Sequence, residues 1–182
     1  MLLDAAVVCL IIGRLAGGRF HRFARLPFRT PWLFVIGFVM QAAAFLLPVR
    51  SLPPVLHIAS YLPLFAGLAA NWRLWELRVA AVGILLNFVV LTANGGKMPA
   101  SEACLARMGG PSLVASARDG RNPRSVLMTE RTRLAFLGDW LAVPVRYRGL
   151  NGFSPGDVIL TIGVCALIFR GMGSFRPSRP SP

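Results

Sequence analysis

Apolar residues gather into five long runs, at 2–17, 31–48, 54–71, 78–94 and 155–172, and the gaps between them are polar and rich in arginine. A helix needs about 20 mostly apolar residues to cross the hydrocarbon core of a bilayer, with a working range of about 17–25. The runs are 16–18 residues long, at the short end of that range, whereas a soluble core has no need of several separated stretches so long. The pattern predicts an all-α integral membrane protein with five transmembrane helices. Residues 1–172 form a single membrane domain in this reading, and the Pro-, Ser- and Arg-rich segment 173–182 is expected to be a disordered tail.

The longest polar interval, 95–153, separates the fourth run from the fifth. Within it Leu134, Phe136, Leu137, Trp140 and Leu141 recur on one arc at helical spacing. They predict a short amphipathic helix over 130–143, too short to span, that lies on the surface or re-enters the membrane. The breakers Gly109-Gly110-Pro111 and Asp119-Gly120-Arg121-Asn122-Pro123 mark 109–125 as turns, expected to be mobile.

Polar positions inside the runs refine this outline. Gly13 and Gly17 form a G-x-x-x-G pair, and Gly37, Gln41 and Ala44 share a face; small residues so placed let another helix approach. Pro63 is expected to kink the third run. His57 lies near that run's start and reads as an interfacial, hydrogen-bonded histidine. Asn87 and Asn94 share a face of the fourth run, and a Gln41–Asn87 amide pair is the expected link between the second and fourth helices. Ser154, Pro155 and Asp157 form a near-capping box at the start of the fifth.

Charge then orients the chain. Of 182 residues 55% are hydrophobic, the mean hydropathy is +0.60 and the formal net charge is +13; Lys97 is the only lysine among 20 basic residues. So basic a chain invites a nucleic-acid reading. The arginines fall between apolar runs, however, as they do in membrane proteins, and nucleic acid is set aside as a partner. Arg14, Arg19, Arg22, Arg25 and Arg29 follow the first run with no acidic residue among them, which places that loop in the cytoplasm. The N-terminus, the Arg50 loop and 95–153 are then outside, and the Arg73–Arg78 link and the C-terminus cytoplasmic, in a multi-pass cell-membrane protein. Of three cysteines, Cys9 and Cys165 lie inside apolar runs and Cys104 in the polar interval. An odd count with no CxxC spacing reads as two core residues and one free thiol.

Three segments carry candidate chemistry: Asn94-Gly95-Gly96-Lys97-Met98-Pro99, Arg133-Leu134 through Leu137-Gly138-Asp139, and Phe153-Ser154-Pro155-Gly156-Asp157. Gly95 and Gly96 cap the fourth helix, or form a backbone nest that approaches a ligand. All three segments lie at the outer boundary of the apolar runs. Asn87, Asn94, Gly95, Gly96, Lys97, Arg133, Asp139 and Asp157 are therefore the candidate ligand-binding residues. Lys97 or Arg133 pairing with Asp139 or Asp157 would instead pin the surface helix to the bundle.

These segments resemble the signature of a bacterial polytopic membrane family described only as a domain of unknown function. The resemblance covers most of 1–172 in segment order and is most specific in the second half. It implies a polytopic membrane protein and supplies no activity.

Function therefore rests on the site. The leading expectation is a non-enzymatic bundle binding or transporting a small ligand or lipid, with a mouth at the outer face over a cavity edged by Asn87, Gln41 and His57. The alternative is an accessory or assembly subunit with a membrane protein partner. A membrane enzyme using Asp139 and Asp157 as an acid/base pair ranks below both, since no nucleophile or metal-binding motif accompanies them. No cofactor and no metal are expected, and the lipid bilayer is the primary partner.

Overall fold

Two antiparallel helices, α6 (Trp75–Ala93) and α8 (Pro155–Met172), form the spine of the computed structural model, which describes residues 2–23, 26–46, 52–145 and 149–174. Both are long and apolar enough to cross a membrane. Three glycines set how closely they cross. A Cβ on Gly83 would stand 2.5 Å from the Gly156 carbonyl and the Leu160 nitrogen. One on Gly163 would stand 2.5 Å from the Ala80 nitrogen and 2.7 Å from the Glu76 carbonyl. The obstacles are backbone, so any side chain forces the helices apart.

The remaining helices flank this pair. α1 (Leu2–Leu15) lies on α8, joined by a Cys9–Cys165 disulfide and by Gly13 against the Met172 and Phe169 side chains. The bond corrects the expectation of two unpaired core thiols. An odd total says nothing about which two cysteines meet, and parallel packing of α1 on α8 brings these two to a Cα separation of 5.6 Å. After the short α2 (Phe20–Phe23), α3 (Pro31–Leu46) packs on α4 (Leu52–Ala59) and α5 (Tyr61–Ala70). The small-residue face of α3 meets a helix as expected, with Gly37 against Leu64 and Ala44 buried. The third run is two helices. Pro63 has no N–H for the Ala59 carbonyl, and the chain breaks at Ser60, whose hydroxyl donates to the His57 carbonyl at 2.6 Å. Residues 47–51, with the Arg50 loop, lie outside the described residues, as do Arg25 and 175–182. Gly173 and Ser174, assigned to a disordered tail, are ordered: Gly173 closes α8 in the left-handed region and Ser174 donates to the Gly13 carbonyl at 3.0 Å.

Two asparagines at helix C-termini use one device. Asn71, after α5, accepts the Arg29 N–H and donates to the Arg29 carbonyl, both at 2.7 Å. Asn94, after α6, accepts the Arg133 N–H at 3.2 Å and donates to the Arg133 carbonyl at 2.8 Å. Each amide grips both peptide groups of one residue in a distant segment, as a strand partner would.

A small cap fills the interval between α6 and α8. Strand β1 (Met98–Ala100) pairs in parallel with β2 (Ser125–Leu127), and α7 (Glu102–Arg118) connects them. Helical geometry fails at Gly109 and Gly110, and the two halves of α7 fold against each other: Leu105, Val114 and Ala117 share a core with Ala100, and Arg118 lies 3.9 Å from Glu102. Residues 111–118 of the stretch expected to be turns are thus helix. The periodicity of α7 is hidden because a glycine pair splits it into pieces of about two turns.

The amphipathic helix expected over 130–143 does not form. Leu134 has φ +52°, only Ala135–Leu137 make a 3-10 turn, and β3 (Leu141–Val145) pairs antiparallel with β4 (Gly149–Phe153). The peptide groups a helix would use are taken elsewhere. Asn94 holds those of Arg133, the Asp139 N–H goes to the Pro99 carbonyl at 2.8 Å, and the Asp139 carbonyl accepts from Ser101 at 2.9 Å. Of the apolar arc only Leu137 is buried; Leu134, Phe136, Trp140 and Leu141 are exposed.

Outside the cap, the helices turn large apolar side chains outward: Val8 and Ile12 on α1, Val35 and Val39 on α3, Leu62 on α5, Val82 and Leu85 on α6, and Ile162 on α8.

Candidate functional site

The cap sits on the α6–α8 pair through a capping box. Ser154 is the N-cap of α8; its hydroxyl accepts the Asp157 N–H at 3.1 Å, and the Asp157 carboxylate accepts the Ser154 N–H at 3.0 Å. Pro155 at the first helical position has no N–H to satisfy, and Asp157 places negative charge where the helix dipole favours it. Asn87 completes the cluster from α6, donating to the other Asp157 oxygen at 3.0 Å, while the Ser154 hydroxyl lies 3.0 Å from the Asn87 amide oxygen. A Cβ on Gly156 would overlap that oxygen, so glycine there is what lets Asn87 reach. The expected amide pair is therefore replaced: Asn87 bonds to α8, not to Gln41.

Above this floor the three motif segments converge. Asn94 ends α6 and holds Arg133, as described. Gly95 and Gly96 follow with φ +70° and +83°, and the Gly96 N–H returns to the Leu91 carbonyl at 2.9 Å, so the pair is the αL cap expected of it. Gly96 also lies directly on Pro54 at the start of α4, where a Cβ would be 2.7 Å from the proline Cβ. One turn further along, buried His57 faces the Gly96 backbone and stacks on Tyr61, with ring centroids 6.0 Å apart. The Lys97 ammonium donates to the Gly120 carbonyl at 2.6 Å. Among the described residues neither Lys97 nor Arg133 pairs with Asp139 or Asp157, so the expected ion-pair pin is not how the cap is held. Backbone bonds and the Asn94 clamp hold it instead.

Asp139 is the chemically distinctive residue of the cap. Its backbone bridges Ala100 at the edge of β1, and its carboxyl lies under β4, where Gly152 leaves it room: a Cβ there would stand 2.2 Å from Oδ2. Burial, and then the negative charge of Asp157, push the Asp139 carboxyl from the ordinary 3.8 up to about 7. Among the described residues no side chain donates a hydrogen bond to it.

Cys104, in the first turn of α7, is buried beside Asp139, and its thiol donates to the Leu141 carbonyl at 3.3 Å. Burial, and then the charge of Asp139, push this thiol up to about 11, so it stays protonated at neutral pH and is a poor nucleophile. Sequence reasoning left Cys104 in an open loop. The usable signal was Ser101, an N-cap whose hydroxyl accepts the Cys104 N–H at 3.1 Å, with Glu102 in the first turn. Among the described residues no group of three or more His, Cys, Asp or Glu is placed to hold a metal ion.

At the opposite end of the spine, Glu76 in the first turn of α6 is fully buried, and its carboxylate is paired with the Arg170 Nε at 2.5 Å. Sequence reading placed Glu76 in a headgroup link. The helix starts earlier, at Trp75, and so puts Glu76 on the α8-facing side.

Comparison with known proteins gives the chain its relatives. The model of a family of unknown function, DUF5317, matches residues 25–169, a span that contains all three motif segments. A protein of Thermotoga maritima described as uncharacterized is 27% identical over 164 residues, covering 90% of this chain and 88% of the relative. No solved structure matches. The chain thus belongs to the DUF5317 family of unknown function.

Proposed function

We propose that the chain is a five-span cell-membrane protein that binds a small ligand or lipid headgroup at the face carrying the cap, without catalysing a reaction. The N-terminus and cap lie outside in this reading, and the arginine-rich end and C-terminus are cytoplasmic. α6, at 19 residues, measures about 28 Å, close to the ~30 Å hydrocarbon core. α1 and α3, at 14 and 16 residues, reach only about 21 and 24 Å, a mismatch that local thinning and snorkelling of flanking arginines such as Arg14 accommodate. The outward-facing apolar side chains support this: soluble monomers rarely expose contiguous apolar patches above about 600 Å².

The observation that carries the binding reading is the Asp139 carboxyl. It is buried where all three motif segments meet, near a second carboxylate at Asp157, with no described side-chain donor. A buried carboxyl without a donor, beside the negative charge of Asp157, calls for a ligand that brings positive charge or N–H donors. The exposed Phe136, Trp140 and Leu141 beside them suit an amphipathic molecule at the membrane boundary. The site residues of this reading are Asn87, Asn94, Gly95, Gly96, Lys97, Arg133, Asp139 and Asp157. Asp139 faces the ligand, Asp157 adds negative charge beside it from the capping box, and the others hold the cap in place.

The test is thermal stability in nanodiscs with phosphatidylethanolamine, phosphatidylcholine or added alkylamines. Stabilisation by primary amines that vanishes in Asp139→Asn supports the reading. No amine-dependent shift in the natural chain contradicts it.

An accessory or assembly subunit is the second reading, favoured by the same exposed apolar rim. Co-purification in mild detergent separates the two: a lone monomer at every detergent strength counts against a stable partner. The enzyme reading ranks last. An Asp139 that titrates near neutrality suits acid/base work, but the Cys104 thiol beside it is held protonated and is a poor nucleophile.

A further inference from the structure

At the end of the bundle remote from the cap, a cavity of about 480 Å³ is bounded by Arg22, Leu26, Pro27, Leu74, Arg170 and the Gly171–Gly173 turn. Its walls are fixed. The Leu26–Thr30 segment is pinned by the Asn71 clamp on Arg29, and the Arg19 N–H donates to the Met172 carbonyl at 2.9 Å, seating the start of α2 on the end of α8. Arg22 bends over that turn, within 2.7 Å of where a Gly173 Cβ would lie.

The charge in this cavity is unbalanced. Arg170 uses its Nε on Glu76, and among the described residues neither its two terminal nitrogens nor the Arg22 guanidinium has a hydrogen-bond or ion-pair partner. Arg14, Arg19, Arg29, Arg73 and Arg78 lie toward the same end, where Glu76, already paired, is the acidic residue among the described ones. Leu26, Pro27 and Leu74 meanwhile make part of the wall apolar. Two guanidinium groups on one wall and aliphatic side chains on the other match a group with a compact polyvalent anion and an apolar body. Arginine's planar fork suits phosphate oxygens better than a single-point donor does, and the volume lies in the range of small-ligand sites, about 300–1,000 Å³.

We propose that this cavity binds a phosphate group, between Arg22 and the free edge of Arg170. The group is borne either by the headgroup of an anionic phospholipid or by a soluble phosphate ester. The site is distinct from the carboxylate site under the cap and does not depend on it.

The test uses the full chain in phosphatidylcholine nanodiscs. Phosphatidylglycerol is titrated into the discs in one arm and glycerol phosphate into solution in the other, with retention followed by native mass spectrometry. Arg22→Gln removes one guanidinium without touching the Glu76–Arg170 pair. Arg19→Gln removes an equal charge just outside the cavity and serves as the control. The proposal expects phosphatidylglycerol or glycerol phosphate to bind the natural chain above the phosphatidylcholine background, Arg22→Gln to weaken that binding about tenfold or more, as loss of a charged hydrogen bond does, and Arg19→Gln to change little. Competition by glycerol phosphate identifies a soluble-ester site; retention of phosphatidylglycerol without competition identifies a lipid site; either supports the phosphate chemistry. Equal losses in the two variants mean diffuse surface attraction and overturn the proposal, as does no retention of either glycerol phosphate or phosphatidylglycerol above the phosphatidylcholine background.

Discussion

Replacing Asp139 with asparagine should make the protein more stable at alkaline pH and remove most of one pH dependence. In the folded chain the carboxyl keeps its proton up to about pH 7, against 3.8 for an unperturbed aspartate. Between those values the folded state binds more protons than the unfolded state, so stability falls as pH rises. The contribution is fully present below about pH 4 and lost by about pH 8. Each pH unit in that window costs about 1.4 kcal/mol, so the whole loss is on the order of 4 kcal/mol. From pH 5 to pH 8 it is about 2–3 kcal/mol, which for a chain of this size lowers the melting temperature by roughly 5–10 °C. Asparagine mimics the neutral carboxyl and cannot ionise, so the variant should lack this slope. Thermal unfolding in detergent, followed by tryptophan fluorescence from pH 5 to 8, gives the difference curve between the two proteins and cancels the other titrating groups. A flat difference curve, or one that favours the natural chain more as pH rises, refutes the burial argument for Asp139.

Three other perturbations bear on the fold. Gly163→Ala puts a Cβ about 2.5 Å from the α6 backbone and should cost about 1–3 kcal/mol or more by spreading the spine, read as a lower melting temperature; an unchanged melting temperature contradicts the close crossing. Asn94→Ala removes two hydrogen bonds to Arg133, a loss of about 1–3 kcal/mol, and hydrogen exchange should rise in 129–139 but not in α6 or α8. Reducing Cys9–Cys165, or replacing either cysteine with serine, should lower stability by about 2–5 kcal/mol without altering the cap, as gel mobility and unfolding together would report.

The helices were legible because their signal is local. Apolar runs bounded by Pro, Gly and Arg located the helices of the bundle to within a few residues, though not α7 in the cap, and Ser154-Pro155-Gly156-Asp157 announced its own capping box. Pro63 was enough to foresee a break, though not that it would fall at Ser60. The cap was not legible, because what shapes it is remote in sequence. The apolar spacing of Leu134 to Leu141 fits a helix until Asn94 and Pro99 take the peptide groups that helix would need, and nothing within 130–143 records those partners. The partners of Asn87 and Glu76 were hidden for the same reason: which of several helices lies alongside is decided by where glycines permit backbone contact, as at Gly83, Gly156 and Gly163. The convergence of Asn94, Arg133, Asp139 and Asp157 was foreseeable from their shared boundary, but its chemistry was not, since burial of one carboxyl beneath Gly152 depends on a strand pairing that the sequence does not mark.

Sidedness tests the account most directly. The natural Cys104 is buried, so its failure to react would carry no information about orientation. Single cysteines at Arg121 in the cap and Arg73 at the arginine-rich end, both exposed, in a Cys104→Ala chain that keeps the Cys9–Cys165 bond, give the needed pair. With a membrane-impermeant maleimide on intact cells, the account predicts labelling at position 121 and none at 73 until the cells are opened. Labelling of both positions from one side, or recovery of the chain in the soluble fraction, would contradict a bundle that crosses the membrane with its cap outside.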